Sequence, residues 1–278
     1  MQHKLKLVLT LTIMLSRNFK VTLIESNPIW GDVKANIEQL HRHLLNVPED
    51  TDLVVLPELF STGFMTGDKE AASTVAERIS GDTITLLHRL AAERHIAFAG
   101  SFLASTASRL YNRAFFIEPN GDDVFYDKHH LFNPGGENEV FTAGTTTAPI
   151  IRYRGINFKL IVCYDLRFPV FCRNNKCEYD VLLVVANWPL ARIHAWRTLL
   201  TARAIENQCY VCGVNRCGTT PDGLDHGEGT SVVLDYRGKV IGERMGSPVI
   251  TADLSPASLQ AFRDKFPAWR DADSFTIG

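Results

Sequence analysis

From Phe19 to the carboxyl end, apolar runs rich in β-formers alternate with segments of helical periodicity. That alternation restricts the chain to a layered α/β architecture, rather than to separate strand and helix halves. The runs are "FKVTLIES", "TDLVVLPE", "IAFAGSF", "NRAFFIEP", "FKLIVCYD", "DVLLVVAN", "YVCGVN", "TSVVLD" and "PVITADL". Between them, Ile37, Leu40, Leu44 and Leu45 are spaced for one face of a helix over Ile37 to Leu45. A second helix over Asp82 to Glu93 carries Ile84, Leu86, Leu87, Leu90 and Ala91. The turns "EPNGDD" and "DYRGK" close hairpins, so the sheet is expected to be mixed. With no internal repeat and no Pro/Ser linker, residues 19–278 read as one domain.

The 278 residues are 45% hydrophobic and 22% charged, enough for a substantial core, and the net charge of -2 argues against a nucleic-acid partner. Neither a G-x-x-x-x-G-K-[ST] loop nor a strand-linked G-x-G-x-x-G is present, and the histidines are not spaced for a metal, so no cofactor and no metal are expected. The G-x-S-x-G elbow of serine hydrolases is also absent. Six cysteines in a chain of this length indicate a reducing, cytoplasmic setting rather than a disulfide framework. Cys209 and Cys212 form a C-x-x-C, but "QCYVCGVN" reads as a strand that sends them to opposite faces. Residues 1–18 are an atypical leader or extension. "MQHKLKLVLTLTIML" has the outline of a signal peptide without a small-residue cleavage site, and it is too short for an ordinary membrane span. Because "FKVTLIESNP" already reads as a first core strand, an upstream extension, with Met14 as an alternative start, is favoured over export; no membrane association is expected.

Three strand ends carry polar groups that could converge in one cleft: Glu58 after "LVVLP", Lys128 in "FYDKHHLF" and Cys163 in "LIVCYDLRFP". Singly, each has a bland reading: a cap, a solvated loop lysine, a small buried hydrophobe. Together, a thiol, a carboxylate and an ammonium are the minimum parts for hydrolysing a carbon–nitrogen bond through a thioester.

"LPELFSTGF", "YDKHHLF" and "CYDLRFP" resemble, in order and separation, the glutamate, lysine and cysteine motifs of the nitrilase superfamily of carbon–nitrogen hydrolases. The likeness continues through "VANWP" and "LTARAIENQ" and covers the chain from about Phe19 onward. Within the superfamily it is most similar to the omega-amidases, which hydrolyse the terminal amide of short dicarboxylic monoamides such as 2-oxoglutaramate and 2-oxosuccinamate. Nitrilases typically have Trp-Glu after the cysteine, where this chain has Tyr164 and Asp165. Other amidase substrates of the superfamily (deaminated glutathione, N-carbamyl amino acids, aliphatic amides) are alternatives, as is a non-catalytic protein on the same fold.

The resemblance implies a four-layer α-β-β-α sandwich of the nitrilase type, paired into a homodimer, and a small-molecule amide as the partner. It implies Glu58 as general base, Cys163 as nucleophile, and Lys128 with the backbone N–H of Tyr164 for the oxyanion. Burial and a neighbouring carboxylate raise a thiol's pKa while an ammonium lowers it, so a neutral resting thiol is expected. In "NPGGENEVFTAG" the family offset selects Glu137 over Glu139 as a second glutamate that holds Lys128 and orients the amide. Trp188 is expected to line the pocket, or else to cap the core. Arg167 reads as a structural partner of Asp165, with a substrate carboxylate as its other use. Arg203, Glu206 and Asn207, at i, i+3 and i+4, suggest an ion-paired or interface face.

Overall fold

The computed structural model describes residues 18–273, 275 and 276. Met14 and the leader up to residue 17 lie outside the described residues.

Two six-stranded sheets face each other. The first runs in the order β12 (Val249–Leu254), β1 (Phe19–Ile24), β2 (Leu53–Val55), β3 (Ala97–Thr106), β4 (Arg109–Ile117), β5 (Asp123–Asp127). The second runs β11 (Val240–Glu243), β10 (Val232–Leu234), β9 (Tyr210–Asn215), β8 (Val181–Ala186), β7 (Ile156–Val162), β6 (Ile150–Tyr153). Each sheet has three parallel strands at its centre and antiparallel neighbours outside them, the mixed pattern that the turns predict. Each of the nine apolar runs falls on a strand, although β3, β4 and β7 extend beyond their runs. The hairpin turns close where expected: Glu118 N–H donates to Asp122 O at 2.9 Å, and Asp235 N–H to Lys239 O at 2.8 Å.

The strand period of two sorts side chains between layers. In β2, Leu53 and Val55 join the core between the sheets, whereas Val54 packs outward with the helices. Phe19 and Phe116 reach across to Phe158 at centroid distances of 5.4 and 5.5 Å, a cluster shared by both sheets. Outside the first sheet lie helices α1 (Val33–Leu44) and α2 (Asp82–Arg94), burying Leu40, Leu44, Ile84, Leu87 and Leu90. Asp32 caps α1 by accepting from Ala35 N–H at 2.9 Å. Leu45 departs from the expected apolar face: the helix stops at Leu44, and Leu45 turns outward in the cap, 79% exposed.

Helix α3 (Ile193–Asn207) covers the second sheet with Trp196, Leu200 and Ala204. It approaches β9 so closely that a Cβ on Gly213 would lie 2.4 Å from Leu200. The expected polar face of α3 is partly internal. Arg203 pairs with Glu206 at 2.8 Å, but Arg203 and Asn207 are themselves buried, bonding Leu166 O and Asn174 N–H. Helix α4 (Pro256–Lys265) is tied down by Arg263, which pairs with Asp180 at 2.7 Å. The layers are therefore helix, sheet, sheet, helix. Parallel strands β2, β7 and β8 all point their carboxyl ends toward one side, where open α/β layers place ligands.

Candidate active site

Cys163 follows β7 directly, Asn187 follows β8, Lys128 follows β5, and Glu58 lies three residues past β2. Cys163, at φ 47°, and Leu59 next to Glu58, at φ 50°, adopt left-handed backbone geometry. For a side chain with a Cβ this costs about 1–3 kcal/mol and marks a turn fixed by its surroundings.

Lys128 is the hub. Its ammonium, 1% exposed, donates to Glu58 Oε1 at 2.9 Å and to Glu137 Oε1 and Oε2 at 2.9 and 2.7 Å. Both carboxylates are fully buried, and the donors around them leave little room for anything but acceptors. Asn112 Nδ2 bridges the two at 2.8 and 3.2 Å, Phe132 N–H donates to Glu137 Oε2 at 2.6 Å, and Asn187 N–H donates to Glu58 Oε2 at 2.7 Å. Asn112 is oriented in turn by the Ser101 hydroxyl, which donates to its Oδ1 at 2.9 Å. Glu139, the other glutamate of that loop, is exposed.

One ammonium thus serves two carboxylates, and the charge balance decides the state of the thiol. Burial pushes the Cys163 thiol well above its ordinary range, the Glu58 carboxylate adds to this, and Lys128 only partly offsets it. Burial and Glu58 thus act toward a neutral resting thiol, the direction expected from the sequence. Burial alone would lower the pKa of Lys128; Glu137 and Glu58 outweigh it and keep the group an ammonium. Burial raises the pKa of Glu137 despite Lys128 beside it.

Cys163 and Lys128 reach the wall of a cavity of about 360 Å³, whereas Glu58 and Glu137 are enclosed outside that wall. Phe64, Phe132, Tyr164 and Trp188 give it an aromatic lining. Tyr164 stands edge-on to Phe132 and Phe168 at 5.0 and 5.2 Å. Both readings of Trp188 hold: it lines the cavity, yet is 3% exposed, packs on Trp196 at 5.5 Å and donates from Nε1 to Arg192 O at 2.9 Å.

Arg167 corrects an expectation. It does not pair with Asp165; its guanidinium stacks on Trp188 at 4.8 Å and lines the cavity, as does that of Arg192, over Phe132 at 5.2 Å. Asp165 is instead bonded to Tyr126, His130 and the Val162 N–H. No carboxylate among the described residues pairs with either guanidinium.

The sequence reading missed Asn112 and Asn187. Each leaves a faint signal, a lone amide inside or at the end of an apolar strand, where a buried polar group needs partners. Cys209 and Cys212 are buried free thiols. Among the described residues no group of three His, Cys, Asp or Glu is placed to hold a metal ion, and no helix is long and apolar enough to cross a membrane.

Comparison with known proteins shows the family. Residues 20–264 match the family model described as carbon-nitrogen hydrolase. The omega-amidase YafV of Escherichia coli (strain K12) is 41% identical over 260 residues, 93% of this chain and 98% of that protein. The 2-oxoglutaramate amidase of Bacillus subtilis (strain 168) is 28% identical over 256 residues, 90% of this chain and 96% of that one. The structure of XC1258 from Xanthomonas campestris, described as a CN-hydrolase superfamily protein with an arsenic adduct in the active site, is 38% identical with a TM-score of 0.88. That similarity covers 94% of this chain and 100% of the other.

Proposed function

We propose, given that this chain belongs to the carbon–nitrogen hydrolase family, that it is a cysteine-dependent amidase that hydrolyses the terminal amide of short dicarboxylic monoamides of the 2-oxoglutaramate type. The observation that carries the reading is the pairing of two features in one cavity: a thiol beside the Glu58–Lys128–Glu137 cluster, and two guanidiniums without carboxylate partners.

Glu58 takes the Cys163 proton as the sulfur attacks the amide carbon. Lys128 and the Tyr164 N–H face the oxygen that gains negative charge. Glu58 then returns the proton to the nitrogen, the C–N bond breaks, and ammonia leaves a thioester. Water, deprotonated by Glu58, attacks the thioester carbon; the acid departs and the thiol is restored. Glu137 holds Lys128 throughout. Starting from a neutral thiol suits this sequence, because the thiolate forms only as its charge passes to the substrate oxygen.

Arg167 and Arg192 supply the selectivity. An unpaired guanidinium is a ready donor to a carboxylate at the far end of a short monoamide. Simple aliphatic amides leave both cations without a partner and are expected to be poor substrates. The similarity to proteins named omega-amidase and 2-oxoglutaramate amidase supports the same class.

A homodimer fits the apolar surface left open at Val170 and Ile205, which are 53% and 52% exposed. A cytoplasmic location fits a mechanism that needs Cys163 reduced. The test is ammonia release from 2-oxoglutaramate, 2-oxosuccinamate, glutamine, a carbamyl amino acid, deaminated glutathione and an aliphatic nitrile, by wild type and Cys163→Ala. Turnover that depends on Cys163 and prefers the keto-acid amides is expected. Preference for a neutral amide or a nitrile would refute the substrate assignment.

A further inference from the structure

We infer that Asp165 and Tyr126 are positioning residues, which hold the strained Cys163 turn in register with the segment that carries Lys128. This rests on the reading of Cys163 as nucleophile and adds two residues that touch no substrate.

The argument starts from the backbone. Cys163 sits at φ 47° between β7 and a short helical turn, a geometry that a non-glycine residue leaves unless held. The fully buried carboxylate two residues later does the holding. Asp165 Oδ2 accepts from the Val162 N–H at 3.1 Å, which closes the turn around the cysteine. The same oxygen accepts from the Tyr126 hydroxyl at 3.0 Å, and Oδ1 accepts from the His130 N–H at 3.0 Å and lies 2.8 Å from His130 Nδ1. Tyr126 O–H in turn accepts from the His129 N–H at 2.9 Å. Residues on both sides of Lys128 are thereby fastened to one carboxylate in the nucleophile's own turn.

Lys128 has independent anchors: its N–H donates to Asn112 O in the first sheet and its carbonyl accepts from Gly144 N–H in the following loop, each at 2.9 Å. Glu58 and Glu137 fix its ammonium. The second sheet meets the cluster at Asn187, whose N–H donates to Glu58 Oε2 at 2.7 Å, and Asp165 adds a further tie, from the turn that bears Cys163 to the segment that bears Lys128. Burial and the nearby Asp165 raise the Tyr126 pKa, so the hydroxyl stays a donor. Every group around Asp165 that the main chain supplies is a donor, so an amide at this position would present an N–H to another N–H. Neither Asp165 nor Tyr126 lines the cavity.

Tyr126→Phe removes two hydrogen bonds, to Asp165 and from the His129 N–H, and keeps the carboxylate and its main-chain contacts, and Asp165→Asn removes the charge. Because a displacement of ~1 Å at a reacting centre costs about 10²-fold, Tyr126→Phe is expected to lower kcat on 2-oxoglutaramate about tenfold and Asp165→Asn about a hundredfold. KM of Tyr126→Phe should stay near wild type, its melt should fall by only about a few degrees so that it is fully folded in the assay, and the double variant should be no slower than Asp165→Asn alone. Wild-type kcat in Tyr126→Phe, additive losses, or a kcat loss matched by loss of folded protein would each overturn the inference; should Asp165→Asn fail to fold, Tyr126→Phe decides alone. If wild type leaves 2-oxoglutaramate intact, the substrate assignment fails separately. The inference is then read from alkylation of Cys163 by iodoacetamide, where a slower rate in Tyr126→Phe supports it and an equal rate overturns it.

Discussion

Replacing Lys128 by methionine keeps most of the side-chain volume and removes the charge at the hub of the site. Two costs follow from the geometry. In the reaction, the oxyanion loses its cation, a deletion that lowers kcat about 10²–10³-fold. In the resting protein, Glu58 and Glu137 lose the three hydrogen bonds of 2.7–2.9 Å that the ammonium donates, and two buried carboxylates are left facing the same space. Stripping a buried ion pair of one partner costs about 3–5 kcal/mol. The variant can relieve that cost by binding a proton between the carboxylates, which raises their pKa in the folded state. A raised folded pKa gives stability at low pH that is lost as pH rises, with a slope on the order of 1.4 kcal/mol per pH unit for each extra proton held by the folded state. The deficit against wild type, measured by urea unfolding, is therefore expected to be larger at pH 8 than at pH 5. A deficit that is flat with pH, or larger at pH 5, would refute the role of Lys128 as the counter-ion of both glutamates. A kcat loss under about tenfold would refute its role at the oxyanion.

Other outcomes test other parts of the structure. In the substrate-free enzyme, alkylation of Cys163 by iodoacetamide should keep rising from pH 6 through pH 9, because burial and Glu58 hold the thiol neutral; a plateau below pH 7 would show a resting thiolate. Burial and Arg216 depress His226 to about 4, so its neutral form favours the fold above the ordinary value of 6.5, and that stability drains away as pH falls toward about 4. His226→Asn should flatten this part of the pH–stability curve, and an unchanged slope would contradict it. Gly213→Ala should destabilise by about 1–3 kcal/mol in urea, since the new methyl meets Leu200.

How much of this could be read from the chain depended on whether the information was local. Glu58, Lys128 and Cys163 were visible because each interrupts or ends an apolar run, and strand ends are where such groups can converge. Strands β5, β6 and β11 were not among the nine runs. They occupy sheet edges or their neighbourhood, paired on one side and partly exposed, so β11 in particular shows no apolar alternation. The choice of Glu137 over Glu139 came from family resemblance, and burial of the one and exposure of the other give it a physical basis. Arg167 shows the opposite case: nearness in sequence to Asp165 suggested a pair, yet the turn points the arginine into the cavity and the aspartate into the interior. Asn112 was illegible because its three partners, Ser101, Glu58 and Glu137, come from separate segments.

The central claim is that Cys163 carries the acyl group. It is tested by mixing wild type and Cys163→Ala with 2-oxoglutaramate, quenching in acid within a turnover, and weighing the intact proteins while ammonia is measured in parallel. The account predicts an added acyl mass that maps to Cys163 in wild type, with neither the adduct nor ammonia from Cys163→Ala. Ammonia released at the wild-type rate by Cys163→Ala, or an adduct on another residue, would contradict it.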